Sequence, residues 1–257
     1  EVGYIPFQYV EKAVSYNSSF IRFLCGLFDR YSQSSPTIVR IMEDYALGAT
    51  KDGCIIYWQI DINGKVRTGK IMKYNQETGH RVKDAGGINW VHSVLKKKKL
   101  LPDNFNLVQC LFGEHLLKMY PEKPVALVES EKSALIASGV YPEYIWLATG
   151  GKSQLSIEKM KVLHGRTVLA FPDVDGFDYW KDKAKELESI GCNVLVSDIL
   201  EKNATDQDRT NKIDLADWLI RDLMTDCRPA PNTLDTLLGI NPVLKSLIET
   251  FDLKLIA

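Results

Sequence analysis

The chain has 257 residues, 45% apolar and 25% charged, with a formal net charge of −1, which suits one large core or two small ones. No apolar run reaches membrane-span length and no basic-then-apolar leader is present, so a soluble, cytoplasmic protein without a membrane partner is expected. The five cysteines (Cys25, Cys54, Cys110, Cys192, Cys227) are far apart and form no CxxC, which argues against a disulfide framework or a zinc ribbon and for small buried hydrophobes.

The first 44 residues read as helical. Tyr9, Ala13, Tyr16 and Phe20, then Phe20, Phe23, Leu24, Leu27 and Phe28, recur at three- or four-residue spacing, predicting one or two amphipathic helices packed on the next sheet in the chain. Ser32–Pro36 reads as a turn before a short helix over 37–44. The period then changes to two. In CIIYWQIDINGKVRTGKIMKYN the dipeptide Asn63-Gly64 predicts a hairpin with a type I′ turn, both residues tolerating positive φ. The second strand, Val66 to Tyr74, alternates so that Arg67, Gly69 or Lys70, and Lys73 stand opposite its apolar side.

Charge is unevenly spread. Residues 65–99 carry ten Lys/Arg against two acids, whereas residues 121–226 carry thirteen against nineteen. The first stretch is a candidate phosphate-binding surface, although Lys96 to Lys99 alone read as a solvated loop. Next, LFGEHLL (111–117) reads as an apolar helix, with His115 as a satisfied core or boundary histidine.

From Pro124 to Trp218 an apolar run is followed repeatedly by a turn and a helix-like segment: VALV, IWLA, VLAF and NVLV. This βαβαβαβ pattern predicts an α/β parallel sheet flanked by helices. Glu129 follows the first strand, and Asp173 and Asp175 follow the third. All three therefore fall at carboxyl ends of parallel strands, where ligands bind in open α/β sheets. Carboxylates converging there raise one another's pKa unless a cation lies between them, and Mg²⁺ (or Mn²⁺) is the natural occupant. Taken singly, Glu129 reads equally as a helix-start carboxylate. Gly150 and Gly151 end the second strand, making a tight turn or a close backbone approach to a ligand. Lys152, next along, either reaches a phosphate or is an exposed loop lysine.

A glutamate closing the first strand and a DxDG closing the third resemble the Toprim domain of bacterial-type DNA primases, topoisomerases and some nucleases, over about residues 121–220. Asp61, Asn63, Gly64, Lys70, Lys73, Tyr74 and Asn75 resemble the N-terminal lobe of the primase core, with Lys70 where that family has Arg and with compressed spacing. Nearly the full length, through WVHS, CLFGEHLL, VESEKSALIASG, FPD and IDLADWL, is similar to an uncharacterised Toprim-like family of Bacteroidetes mobile-element and phage proteins. The resemblance implies a smaller α+β lobe over 1–120, a Toprim-like domain over 121–227, and a linker with a C-terminal amphipathic helix over 228–257.

It also implies roles. Glu129, Asp173 and Asp175 would be catalytic and metal-binding, and Asp214 and Asp217 would complete a second metal site, although helix-start aspartates need no metal. Asp178 and Asp198 rank lower. Arg67, Lys70, Lys73 and Lys152 would hold template or nucleotide phosphates. The function expected is Mg²⁺-dependent nucleotidyl transfer on single-stranded DNA, using nucleotides; a Toprim nuclease and a non-catalytic nucleic-acid-binding module are the alternatives. The missing initiator Met suggests a piece of a longer protein, with a helicase or zinc-binding module outside it. Beyond Arg228–Asn232, whose prolines read as a linker, Val243, Leu244, Leu247, Ile248, Phe251 and Leu255 fall at helical spacing. That face either folds back onto the body or docks a partner.

Overall fold

A computed structural model describes residues 1–29, 34–83 and 87–225. The segment expected to be a linker and C-terminal helix, 228–257, lies outside the described residues.

Three helices open the chain: α1 (Gln8–Ala13), α2 (Ser19–Asp29) and α3 (Ser34–Asp44). Of the one or two helices expected before the turn, two form, separated at Val14–Ser18, where buried Ser18 accepts from the amide of Ile21 at 3.1 Å and starts α2. Phe20, Phe23, Leu24, Leu27 and Phe28 are buried together. Pro36 lies inside α3 rather than ahead of it, in a first turn that can spare its N–H.

The first sheet is antiparallel, in the order β1 (Gly48–Ala49), β2 (Ile55–Ile60), β3 (Val66–Met72) and β4 (Asn89–Trp90). Its hairpin is not the two-residue type expected. Only Gly64 has positive φ (76°). Asp61 closes a wider turn: its carbonyl accepts from Gly64 N at 2.8 Å, and its Oδ1 accepts from Asn63 N at 3.0 Å and Lys65 N at 2.9 Å. That is a type I turn followed by a left-handed glycine, made possible by a side chain that replaces missing ladder bonds. Both faces of β3 are covered, and strand alternation puts Lys70 on the face opposite Arg67 and Lys73. The expected row of cations on one side therefore does not form.

A short helix, α4 (Val91–Lys97), and an irregular stretch lead to α5 (Leu116–Met119). Phe112, expected on a helix, is extended instead and bridges Ala148. His115 is a boundary residue whose Nε2 donates to the Asp44 carbonyl at 2.7 Å.

The second sheet is wholly parallel and lies where the sequence pattern put it. β5 (Val125–Val128), β6 (Ile145–Ala148), β7 (Thr167–Phe171) and β8 (Asn193–Val196) run in the order β6-β5-β7-β8. Helices α6 (Glu131–Val140), α7 (Ile157–Met160) and α8 (Phe177–Glu188) connect them, and α9 (Ile199–Asn203), α10 (Asp206–Asn211) and α11 (Leu215–Thr225) follow. One hydrophobic cluster joins α2, α3, β2 and Phe112 to the parallel sheet. Tyr57 packs edge-on against Phe112 and Tyr45 stacks on it, with centroids 5.6 and 5.1 Å apart. The two sheets thus share a core, which fixes the antiparallel sheet against the ends of the parallel strands. Among the described residues no helix is long and apolar enough to cross a membrane.

Candidate metal and phosphate site

The strand order places the site. From β5 the chain passes through α6 to β6 on one side; from β7 it passes through α8 to β8 on the other. With right-handed crossovers the two helices lie on opposite faces, so a crevice opens between the carboxyl ends of β5 and β7. Glu129 leaves β5 at this crevice and Asp173 stands two residues beyond β7. The Asp173 amide donates to Glu129 Oε1 at 3.4 Å.

The backbone around them is held. Thr149 N donates to Val128 O at 3.1 Å and Gly150 N to Glu129 O at 2.9 Å, extending the β5–β6 ladder past its last residues. Gly176 N donates to Asp173 O at 2.8 Å, tightening the turn into α8. A Cβ at position 176 would lie 2.6 Å from Glu129 Oε1. The glycine of the DxDG pattern therefore makes room for the glutamate carboxylate.

The electrostatics divide the five predicted metal acids into two groups. Burial first, with Asp175 and Asp214 adding negative potential, pushes Glu129 up to about 7. Asp173 is pushed up to about 9, again by burial first and then by the charges of Glu129, Asp214 and Asp175. Among the described residues neither makes an ion pair. The other three are matched by lysines. Asp175, which is exposed, lies 3.2 Å from Lys212 Nζ and 3.8 Å from Lys152 Nζ. Asp214 and Asp217 lie 3.2 and 2.8 Å from Lys132 Nζ. They also cap α11 reciprocally: Asp217 N donates to Asp214 Oδ1 at 2.8 Å and Asp214 N to Asp217 Oδ2 at 3.3 Å, while Ser133 Oγ donates to Asp214 Oδ2 at 3.1 Å. All four of their carboxylate oxygens are thus engaged inside the protein. Asp178 sits in the first turn of α8, and Asp198 pairs with Lys202 at 2.8 Å.

The predicted phosphate-binding cations are placed as unequally. Arg67 Nε donates to Asp61 Oδ2 at 2.8 Å, its Nη1 donates to the Val108 carbonyl, and its guanidinium lies over Tyr4. Lys70 is buried and 2.8 Å from Glu131 Oε2. Lys152 donates to the Asp175 carbonyl. Lys73 lines two open cavities together with Asp52, one of 320 Å³ shared with Arg22 and Lys51 and one of 520 Å³ shared with Asn89 and Lys97. Several site residues were not singled out from sequence: Gly176, Lys132, Lys212, buried Glu131, and Lys159, which braces the loop after β6 by donating to Thr149 O and Gln154 Oε1 at 3.0 Å. Only Gly176 carried a signal, as the last member of DVDG.

Among the described residues no group of three or more His, Cys, Asp or Glu side chains is gathered as a metal cage. Mg²⁺ ordinarily needs less than that, taking one or two carboxylates and completing its shell with waters and substrate phosphates. Glu129 and Asp173, adjacent, charge-uncompensated and raised in pKa, fit an ion of that kind.

Solved structures similar to this chain are primases, at low identity. The RNA polymerase domain of Mycobacterium tuberculosis primase DnaG is 11% identical, with 91% of this chain and 85% of that one covered and a TM-score of 0.45. The Aquifex aeolicus primase, comprising zinc-binding and RNA polymerase domains, is 15% identical with a TM-score of 0.44; 88% of this chain is covered, and the chain spans 65% of that structure's length. The E. coli primase catalytic core is 14% identical, with 84% and 76% covered and a TM-score of 0.36. No curated protein matches the sequence. The family model described as "Domain of unknown function (DUF6371)" matches residues 18–174, more than half of the chain and the whole span from α2 to Asp173, and the chain belongs to that family.

Proposed function

We propose that this chain is a primase-like, metal-dependent nucleotidyltransferase acting on single-stranded nucleic acid, with Glu129 and Asp173 as its metal-binding pair. The observation that carries the reading is those two carboxyls, side by side at the crevice between β5 and β7 and without a counter-ion. A divalent ion of the Mg²⁺ or Mn²⁺ kind would supply there the positive charge that offsets charge developing in phosphoryl transfer. Asp173 and Glu129 would hold the ion. Glu129, in its ionised form, would also accept the proton of the attacking hydroxyl. Asp175, at the exposed rim, would orient Lys152 and Lys212 towards substrate phosphates or join the ion once a phosphate draws those lysines away. Asp214 and Asp217, held by Lys132, would support the rim of the crevice in this reading, and a second ion there would require Lys132 to withdraw. Lys73, with Arg22, Lys51 and Lys97 around it, would contact the backbone of a single strand. The motif resemblance adds the finer suggestion of primer synthesis for a mobile element.

The test is extension from ribonucleotides or deoxynucleotides on a single-stranded DNA template with Mg²⁺ or Mn²⁺. Product that is lost in Asp173→Ala and Glu129→Ala supports the reading. Divalent-dependent cleavage of the template without nucleotides would identify a hydrolase at the same carboxylates. Salt-sensitive strand binding with no response to divalent ions would identify a binding module.

A further inference from the structure

Asp214 and Asp217, the acids expected to complete a second metal site, already have a cation between them. Lys132 Nζ donates to Asp217 Oδ1 at 2.8 Å and lies 3.2 Å from Asp214 Oδ2, and the lysine side chain is only 12% exposed. A cation in this place is disfavoured twice. Lys132 stands in the first turn of α6, at the positive end of the helix macrodipole, and burial penalises its charged form. Burial is the largest single influence on the ammonium, yet Asp214 and Asp217 together outweigh it and hold Lys132 above the ordinary lysine value. The lysine is therefore charged, and the two carboxylates are what keep it so.

The trio belongs to the same crevice as Glu129 and Asp173. Val174, between Asp173 and Asp175, donates its amide to the Ile213 carbonyl at 3.3 Å, which ties the turn after β7 to the start of α11. The charge of Asp214 acts on both Glu129 and Asp173, and that of Lys132 acts on Asp173. Ser133 and the reciprocal caps of α11 fix both aspartates in place around the lysine. Mg²⁺ draws its oxygens in to about 2.0–2.1 Å, so an ion and an ammonium cannot both lie between these carboxylates.

We propose that Lys132 is the resident cation of the second position, so that the crevice takes one divalent ion, at Glu129 and Asp173, where the motif resemblance implies two. Lys132 supplies its charge without having to be bound from solution. It is a positioning residue: it holds Asp214 and Asp217, and through them the rim of the crevice. The inference deepens the proposed function and rests on it for the first ion alone.

The experiment counts the Mn²⁺ ions bound by the full chain, without nucleotides or nucleic acid, from the electron paramagnetic resonance signal of the free ion. The unaltered protein should bind one. Lys132→Met should bind one more, because two fixed carboxylates lose their counter-ion and gain room for a divalent replacement. Adding Asp217→Asn to Lys132→Met should remove the extra ion, whereas adding Asp173→Asn should remove the other. An equal count in Lys132→Met and the unaltered protein overturns the inference, as does an extra ion that survives Asp217→Asn, or a count of two before any substitution. An unaltered protein that binds none, with one Asp217-dependent ion in Lys132→Met, would end the reading of Glu129 and Asp173 while supporting this one. If Lys132→Met does not fold without metal, Mn²⁺ should restore its far-ultraviolet circular dichroism, since an ion that binds only the folded chain stabilises it; a chain that stays unfolded in Mn²⁺ also overturns the inference.

Discussion

At the end of the parallel sheet the Asp173 amide donates to Glu129, and among the described residues neither carboxyl makes an ion pair, Lys152 and Lys132 acting on them only from a distance. In the antiparallel sheet the opposite holds: Lys70 ends on buried Glu131 and Arg67 on buried Asp61. Both regions hold partly buried charge, but the second is closed, each cation matched within the fold, whereas the first is open and gains from something brought from outside. A buried charge pair is structure; two carboxyls in a crevice that hold on to their protons for want of an ion pair are a candidate site, because ionising them costs stability unless a ligand relieves it.

The contrast breaks most severely at Lys70. Replacing it in Lys70→Met leaves Glu131 buried without its partner and should cost about 3–5 kcal/mol in urea unfolding, while Lys70→Met with Glu131→Leu should recover most of that. Recovery would confirm a structural pair; failure to recover, with loss of activity in both, would return Lys70 to the substrate.

The second prediction concerns pH. Glu129 and Asp173 keep protons in the fold that the unfolded chain, with ordinary values of 4.5 and 3.8, gives up earlier. Raised acids favour the fold below the unfolded values, and that contribution is lost as pH climbs through about 7 for Glu129 and about 9 for Asp173. Without divalent ions, thermal stability should therefore fall from pH 5 to pH 9, each group contributing at most about 1.4 kcal/mol per pH unit. Mg²⁺ or Mn²⁺ should offset the fall increasingly at high pH, since bound metal requires deprotonated ligands. Asp173→Asn should remove the part of the slope above about pH 7, which Asp173 carries, together with the metal response, while the Glu129 part between about pH 5 and 7 stays. A flat profile in the unaltered protein would show that the carboxyls are not poised as described.

Smaller in stability but sharper for the site is Gly176→Ala. With φ at −105° the backbone accepts alanine, so a loss of about 1 kcal/mol is expected. The new methyl would displace the Glu129 carboxylate, and divalent affinity by calorimetry should drop at least tenfold. Smallest of all, Lys73→Met should change stability by less than about 0.5 kcal/mol. It should nonetheless weaken single-strand binding and reduce the salt slope by about one.

Sequence reading placed the four parallel strands almost to the residue, because a strand buried on both faces must be a short apolar run between polar turns. It also put Glu129 and Asp173 at strand ends. It could not see that Lys70 points away from Arg67 and Lys73 into a shared core, since alternation was read as one buried and one wet side, and the second sheet that covers the wet side is distant in sequence. The hairpin differed for a local reason: Asp61 supplies hydrogen bonds that let Asn63 avoid the left-handed region.

By itself the sequence determined strand positions, the switch from helical to strand period near Tyr45, and which acids close which strands, all of which arise from short-range pattern. Which charges remain uncompensated was decided only when the chain folded. Lys132 reaches Asp214 and Asp217, and Lys212 reaches Asp175, across dozens of residues, and a charge is neutralised by what lies a few ångströms away in space rather than along the chain.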